Sequence, residues 1–462
     1  MTTTESTQSL TERFAEACVA PNAAGLPEAV QRRTKLIVLD TLGAMLSASR
    51  PIFPGPKRLA EFVEADGHGG ACSIIGTALK ASATDAALMN GYLAYALDIE
   101  SHHGPAIVHA AAAILPAALA EAQQLGCSGV MLLTAVALGI EVACRVSLAI
   151  GPNDLYNRGF HPTAISGSFG AAAAVASLRN LGAAEFARAF GLAATMTGGL
   201  LAWSSDESEE SRPFNPGTAA RNGLTAGRLA ALGFGAPVGV FDQSMKYNVF
   251  RAWSEDGLGQ PEQLLAGIGE HFAVNDLIIK RHACCAFLHP AVDGLLDILA
   301  ETDLTAGDIR SITMRFPRTG APIINGNPLR SHRAQYILPV ASVRRQVDFA
   351  DVITDRSEEP SIADLIDRVR FVEDDELDPL YPERYTTRLT VTTHDGDEHE
   401  RRIDFARGTP ENPMSDAEIV AKFRQLATGR VDTERAEQII ALAAELERHD
   451  QLNPLFDLLT VN

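Results

Sequence analysis

Aromatic side chains are scarce in this chain: they make up 6% of its 462 residues, and two are Trp. A core with so few rings rests on Ala, Leu, Val and Ile, which suits closely packed helices. Cysteine is sparse too. Cys18, Cys72, Cys127, Cys144, Cys284 and Cys285 include no C-x-x-C pair, so neither a zinc site nor a disulfide framework is expected, and a reducing compartment fits. The opening MTTTESTQSLTERFAEA is polar and lacks the apolar stretch of a signal peptide, which points to the cytoplasm. No P-loop and no H-E-x-x-H occurs. Gly233-Phe-Gly235-Ala-Pro-Val-Gly239 has the wrong spacing for a dinucleotide loop, and Ser166-Gly-Ser168-Phe-Gly170 is not a nucleophile elbow.

Positive charge is also in short supply. Lys and Arg number 39 against 58 Asp and Glu, a net charge of −19. A field of that sign repels nucleic acid and anionic membrane, so neither is an expected partner. An acidic substrate would need local cations to overcome it. The stretch His102–Ala120 has no formal charge but holds three His and two Pro, and it reads as a buried helix instead of a membrane span.

What is present divides the chain by texture. A length of 462 residues makes two domains the natural expectation. Residues 1–270 form a first, helical domain whose pattern is helical throughout from about residue 8, with predicted segments Arg33–Ser49, Ala83–Leu97, Pro105–Gln124, Gly129–Ile150, Ala164–Leu178 and Ala184–Thr197. From 271 to 408 the pattern turns to α+β. Ile312, Met314 and Phe316 alternate with polar neighbours as in a half-buried strand. Leu389 and Val391, the turn His394-Asp-Gly-Asp, and then Arg401, Ile403 and Phe405 spell a hairpin. Helices are expected near Pro290–Ala300 and Ser361–Arg368. Helix resumes over 409–462, where Ser415-x-x-Glu418 forms a capping box. The fold class is therefore mainly α: a helical domain, a smaller inserted α+β domain, and a helical tail. The acidic runs Asp206–Glu210 and Glu373–Glu376 read as solvated loops.

Four polar blocks interrupt this apolar background. The densest runs from Ala94 to His109 and contains Asp98, Glu100, His102, His103 and His109. Ionisable groups on an Ala/Leu/Ile-rich segment are costly to bury without a partner or a task, and histidine there can carry protons near neutrality. For a single His the simpler reading is a hydrogen-bonded core residue; three His and two acids in twelve residues weaken it. The second block is Gly159-Phe-His161-Pro-Thr163, where His161 alone could serve a helix start. The third, Lys280-Arg281-His282-Ala-Cys284-Cys285-Ala-Phe-Leu-His289-Pro290, lies at the expected domain boundary, a common place for ligands. The fourth, Ser211-Arg212-Pro-Phe-Asn215-Pro-Gly217, sets an Arg fork before a helix, which suits a carboxylate. Its plainer reading is a surface Arg pairing with the acidic run beside it. Asp98, Glu100, His102 and His109 are of metal-binding type, but their spacing follows no known pattern.

Taken together, the blocks Val38-Leu-Asp40-Thr-Leu-Gly43, Asn90 through Asp98, Ile114-Leu-Pro-Ala-Ala-Leu, Gly139-Ile-Glu-Val, Gly159-Phe-His161, Pro216-Gly-Thr-Ala-Ala, Lys280 through Pro290 and Lys422-Phe-Arg424 resemble, in order, the MmgE/PrpD family. That family includes 2-methylcitrate dehydratase, cis-aconitate decarboxylase and iminodisuccinate epimerase. The resemblance implies a helical domain built from both ends of the chain with an inserted α+β lid, a homodimer, a cleft between helical domain and lid, a small di- or tricarboxylic acid as substrate, and neither metal nor organic cofactor. It places Asp98, His109, His161 and Lys280 on active-site positions, where a catalytic role is expected; from the polar blocks themselves, His102, His103, Arg212, Asn215, Cys285 and His289 are the expected substrate-binding residues. The chain departs from the family at Asp98-Ile-Glu100-Ser-His102, where Asp-Phe-Asp-Asp-Thr is usual, at Arg212, commonly Lys, and at Asn215, often His. The implied activity is that of a lyase, dehydratase or decarboxylase, with epimerisation in the same cleft as an alternative. A metal-dependent hydrolase built on the histidine cluster and a non-catalytic helical scaffold are the competing classes.

Overall fold

A computed structural model describes residues 8–65, 69–205 and 210–461. The start of the N-terminal sequence and Asp206–Glu209 of the first acidic run lie outside the described residues. The fold is mainly α. Its centre is the apolar helix Gly129–Ile150, capped by Ser128 and ended at Gly151 with φ 99°. This helix is long and apolar enough to cross a membrane, yet most of it is buried inside the protein. It packs against the helix Pro162–Leu178. Where they cross, a Cβ on Gly139 would stand 2.8 Å from the Gly170 carbonyl oxygen, and one on Gly170 2.4 Å from that of Gly139. Only glycine allows so close an approach.

A second close crossing positions the polar blocks. A Cβ on Gly91 would meet the Gly217 Cα at 2.8 Å, so the helices Ala83–Tyr95 and Phe214–Ala231 touch backbone to backbone. The C-terminal end of the first and the N-terminal approach of the second are thereby brought together, and with them Asp98 and Arg212.

The α+β part contains a four-stranded sheet in the order Val369–Asp374, Ile309–Pro317, Thr387–Thr393, Glu398–Ile403. The first pair is parallel and the others antiparallel, with Met314 opposite both Phe371 and Leu389. Ile309, Ile312, Met314, Phe316, Leu389 and Val391 are buried in one cluster with the helices His289–Thr302 and Ala334–Arg344. The C-terminal helix Asp416–Ala427, opened by the Ser415–Glu418 capping box, packs on the helix Glu28–Ala48.

Three expectations are corrected. The segment from His102 is not helical until Ala110: His102–His103 form a short strand against Leu277–Ile278, Gly104-Pro105 break the chain, and Ile107 has φ 52°. The helix begun at Ala83 stops at Tyr95, short of Leu97. Within Glu373–Glu376, Glu373 and Asp374 end the strand Val369–Asp374, and Asp374 is buried.

Candidate active site

Three helices begin around one buried cluster. His109 is the N-cap of the helix Ala110–Leu125, His161 is the N-cap of Pro162–Leu178, and Arg212 lies one residue before the N-cap of Phe214–Ala231. Neither histidine side chain caps its own helix, so both rings are directed elsewhere. The backbone N–H of His109 donates to Thr163 Oγ1 at 3.0 Å, which ties the first two helix starts together.

Asp98 is the hub. It lies in a turn with φ 54°, a left-handed conformation that costs a non-glycine residue about 1–2 kcal/mol. Lys280 Nζ donates to both the Asp98 carbonyl (2.7 Å) and Oδ1 (2.6 Å). Arg212 Nη1 stands 3.6 Å and His109 Nε2 3.8 Å from Oδ1, and His332 Nε2 reaches within 3.7 Å of Oδ2. His109 Nδ1 lies 2.5 Å from Glu100 Oε1. Tyr95 stacks beside His109 and His161, with ring centroids at 4.5 and 5.9 Å, and the Arg212 guanidinium covers its face at 4.7 Å. Trp203 stands at 5.8 Å from His161 and 6.3 Å from His332. Among the described residues Glu100 Oε2, His102 Nδ1, His161 Nδ1 and Trp203 Nε1 have no hydrogen-bond partner.

The sequence-predicted residues divide into three groups. Asp98, His109, Arg212 and Lys280 are in direct contact around the hub. His161 joins them through Tyr95, and His102 through its ring at 4.6 Å from His109, with Nε2 at 3.1 Å from the Tyr385 hydroxyl. Cys285 is buried nearby, its N–H on the Ser331 carbonyl, and burial pushes its thiol up to about 12. Asn215 serves the backbone: its Nδ2 donates to the Arg212 carbonyl. His103 and His289 face other partners. His103 Nδ1 accepts from Ala106 N, with Nε2 4.0 Å from Asp276, while His289 packs on His282, which binds Asp293 at 2.9 Å. His332, Tyr385 and Trp203 were not singled out in the sequence, each standing alone outside the four polar blocks. Glu100 lay in the densest block without an assigned role.

Burial and charge set the protonation states. Burial alone would raise Asp98, but Lys280, Arg212 and His109 hold it well below the usual carboxylate range. Burial pushes Glu100 up to about 7 against the opposing effect of Lys280, and the Asp98 charge adds to the rise. Burial lowers His109, His161 and His332 to about 3 each, helped by Lys280 and Arg212 for His109, by His109 and Arg212 for His161, and by Arg212 and Lys280 for His332. For the tightly paired His109 and Glu100, we read a neutral imidazole and a carboxyl group sharing one proton near neutrality. Burial opposes the charge on Lys280, but Asp98 and Glu100 keep it protonated. Among the described residues two cations then face one permanent carboxylate, so the closed cluster is locally positive within a chain of net charge −19. That balance favours an anionic ligand. Asp98, Glu100 and His109 each offer a ligand atom within 4.8 Å of one another, as a divalent cation requires, but such an ion would sit against Lys280 and Arg212.

The cluster is closed: Asp98, Glu100, His161, Arg212 and Lys280 are each at most 2% exposed. Arg212 also lines a neighbouring cavity of about 540 Å³, together with Ala96, Leu97 and Ser331. It therefore stands between that cavity and the hub.

Models of the MmgE/PrpD N-terminal and C-terminal domains match residues 12–256 and 282–448. The chain is 28% identical over 462 residues to cis-aconitate decarboxylase of Aspergillus terreus, covering 94% of this chain and 92% of the relative. It is 30% identical to a cis-aconitate decarboxylase-like protein of Aspergillus oryzae, covering 94% of each. To the human cis-aconitate decarboxylase it is 26% identical, covering 98% of this chain and 95% of the relative.

Proposed function

The chain belongs to the MmgE/PrpD family, and from that premise we propose that it is a lyase that decarboxylates a small di- or tricarboxylic acid without a metal or organic cofactor. The observation that carries this reading is the charge balance of the buried cluster, where Lys280 and Arg212 outnumber Asp98 as permanent charges. The names of the relatives, cis-aconitate decarboxylases, support the same class.

The chemistry asks for two things. For an unsaturated acid of the cis-aconitate kind, the C–C bond to one carboxylate breaks and CO₂ leaves. Its electron pair enters the allylic system conjugated with a remaining carboxylate, and a proton delivered to the far carbon completes the product. Fixed cations near the remaining carboxylate stabilise the developing charge. Lys280 has three donors, of which two are used on Asp98, leaving one for substrate. Arg212 supplies the second anchor. His109, held through Nδ1 by Glu100, turns Nε2 toward the hub, and His161 keeps its Nδ1 without a protein partner. These two are the proton carriers, and placed acids and bases of this kind contribute about 10²–10⁴-fold. Asp98 fixes Lys280 and faces His109.

Proton NMR in D₂O on chelator-treated protein, with a panel of di- and tricarboxylic acids, tests the reading. Loss of CO₂ with one deuterium in the product supports it. Loss of water identifies a dehydratase, deuterium uptake without net change an epimerase, and activity only after metal is restored a metal enzyme; each of these would replace the proposal.

A further inference from the structure

Two sequence blocks remain without a role in the proposed chemistry, the one holding Asp40 and the one holding Lys422. The structure joins them. Lys422, on the helix Asp416–Ala427, pairs with Asp40 Oδ1 at 2.5 Å; the Asp40 side chain is fully buried and that of Lys422 is 9% exposed. The same ammonium donates to the Ile99 carbonyl at 2.6 Å. Ile99 separates Asp98 from Glu100. On the other side, Lys280 donates to the preceding carbonyl, that of Asp98, at 2.7 Å. The turn that carries both acids is thus held at two consecutive carbonyls by the ammonium groups of Lys280 and Lys422, both remote from it in the chain, at the place where Asp98 takes a φ of 54°.

We propose that the Asp40–Lys422 pair is a positioning device for the Asp98–Glu100 turn. A buried ion pair is by itself weak evidence for stability, since apolar replacements of similar volume are often neutral or stabilising. What an apolar pair cannot supply is a donor at the Ile99 carbonyl. Fixing that carbonyl sets the direction of the residues on either side, so that Glu100 meets His109 Nδ1 while Asp98 meets Lys280. Lys422 touches none of the acid, imidazole or guanidinium groups of the cluster in the contacts described. It acts through the backbone. Asp40, in turn, orients the ammonium from the core helix Glu28–Ala48. The inference rests on the reading of Asp98, Glu100 and His109 as the reacting centre.

The test uses full-length protein labelled with ¹⁵N-histidine, with the His109 ring signals assigned by their loss in His109→Gln. These signals report the ring's tautomer and its bond to Glu100, and need no substrate. Two variants are compared with the wild type: Lys422→Met, and the double variant Asp40→Leu with Lys422→Met, which removes both buried charges and keeps the site apolar. The expected result is that both variants shift the His109 ring signals while the double variant unfolds within a few degrees of the wild type. On an acid that the wild type turns over, kcat falls at least tenfold and KM stays within about twofold. Unshifted His109 signals in the double variant would overturn the inference and leave the pair as core packing. If Lys422→Met alone fails to fold, the double variant decides. A wild type inactive on every acid would count against the proposed function, and the histidine signals would still decide this point.

Discussion

His109 and Glu100 are joined through Nδ1 and Oε1 at 2.5 Å, in a pocket where Glu100 is fully buried. The contact fixes which face of the imidazole is turned away from the acid: Nε2 points toward Asp98 at 3.8 Å. With the carboxyl group raised to about 7 and the imidazole lowered to about 3, the usual order of the two groups is reversed, so the acid of the pair is the carboxyl group and the imidazole is its neutral partner.

Glu100→Gln tests that relationship. Gln keeps the shape but holds its amide in place of a titrating oxygen, so it can still meet Nδ1 and cannot share a proton with it. We expect kcat to fall by about 10²-fold, in the range of a misplaced acid–base partner, with little change in melting temperature. Steady-state kinetics on the first acid found to react, beside a thermal melt, gives both numbers. Retained kcat would confine Glu100 to packing.

Lys280→Met addresses the hub. Lys280 and Asp98 are both almost wholly buried, and removing the ammonium strands a carboxylate with Arg212 as its remaining close permanent cation. Breaking a buried pair in this way costs about 3–5 kcal/mol. Urea unfolding should show that loss, and activity should disappear. Adding Asp98→Asn to the same protein should recover most of the stability and none of the activity, because the unpaired charge is gone but the anchor is still missing. Recovery of activity in the double variant would remove both residues from the chemistry.

Stability should fall as the solution is acidified. Buried His109, His161 and His332 are lowered to about 3, and His103 to about 4, from an ordinary value of 6.5. Between those values and 6.5 the unfolded chain binds protons that the folded one refuses, so stability is full above pH 6.5 and is lost as pH falls through that window. Glu100 has the opposite sign: raised to about 7 from 4.5, it binds a proton in the folded state that the unfolded state has released, and lowers stability as pH rises from 4.5 to 7. His102 and His289 are lowered by burial as well, and Asp98 and Asp293 are held low, against burial, by their cationic neighbours, which outweighs the carboxyls that burial raises, Glu100, Asp40, Asp297 and Asp351. The melting temperature should drop from pH 7 to pH 5, and a flat or rising profile would contradict the burial of these rings.

Much of this site was legible before any coordinates, and the reason is its chemistry. Asp98, His109, Arg212 and Lys280 sit in polar blocks on apolar segments, where a buried charge demands a partner. The hairpin ending in Thr387–Thr393 and Glu398–Ile403 followed from alternation and turn residues. What failed to show were features set by distant contacts. His102–His103 became a strand because Leu277–Ile278 lies alongside, and an uncharged run carries no sign of such a partner. Asp374 closes a parallel pair with Pro317, while the acidic run around it reads locally as solvated. His332 reaches Asp98 across 234 positions of chain, and nothing near Arg330 or Arg333 marks it.

Arg212→Lys gives the sharpest reading of how the substrate is held. Relatives of this family commonly carry Lys there, so the change keeps the charge and is compatible with the fold class. Yet the surroundings are built for a guanidinium. It lies over the Tyr95 ring at 4.7 Å and 5.9 Å from Trp203, its Nη2 donates to the Ala96 carbonyl at 3.4 Å, and Nη1 faces Asp98 at 3.6 Å. The idea that it is a surface arginine fails on its burial: Arg212 is 1% exposed. A lysine keeps one point charge, loses the planar fork, and stacks less well on the ring. Losing one arm of a charged contact costs about 1–3 kcal/mol, which in kcat/KM is roughly a 10- to 100-fold decrease. The melting temperature should move by only a few degrees, since the buried charge is still present for Asp98. Measuring both quantities on the two proteins separates the roles: a lowered kcat/KM with an intact melt assigns Arg212 to substrate, and an unchanged kcat/KM would leave Lys280 as the remaining carboxylate anchor at the hub.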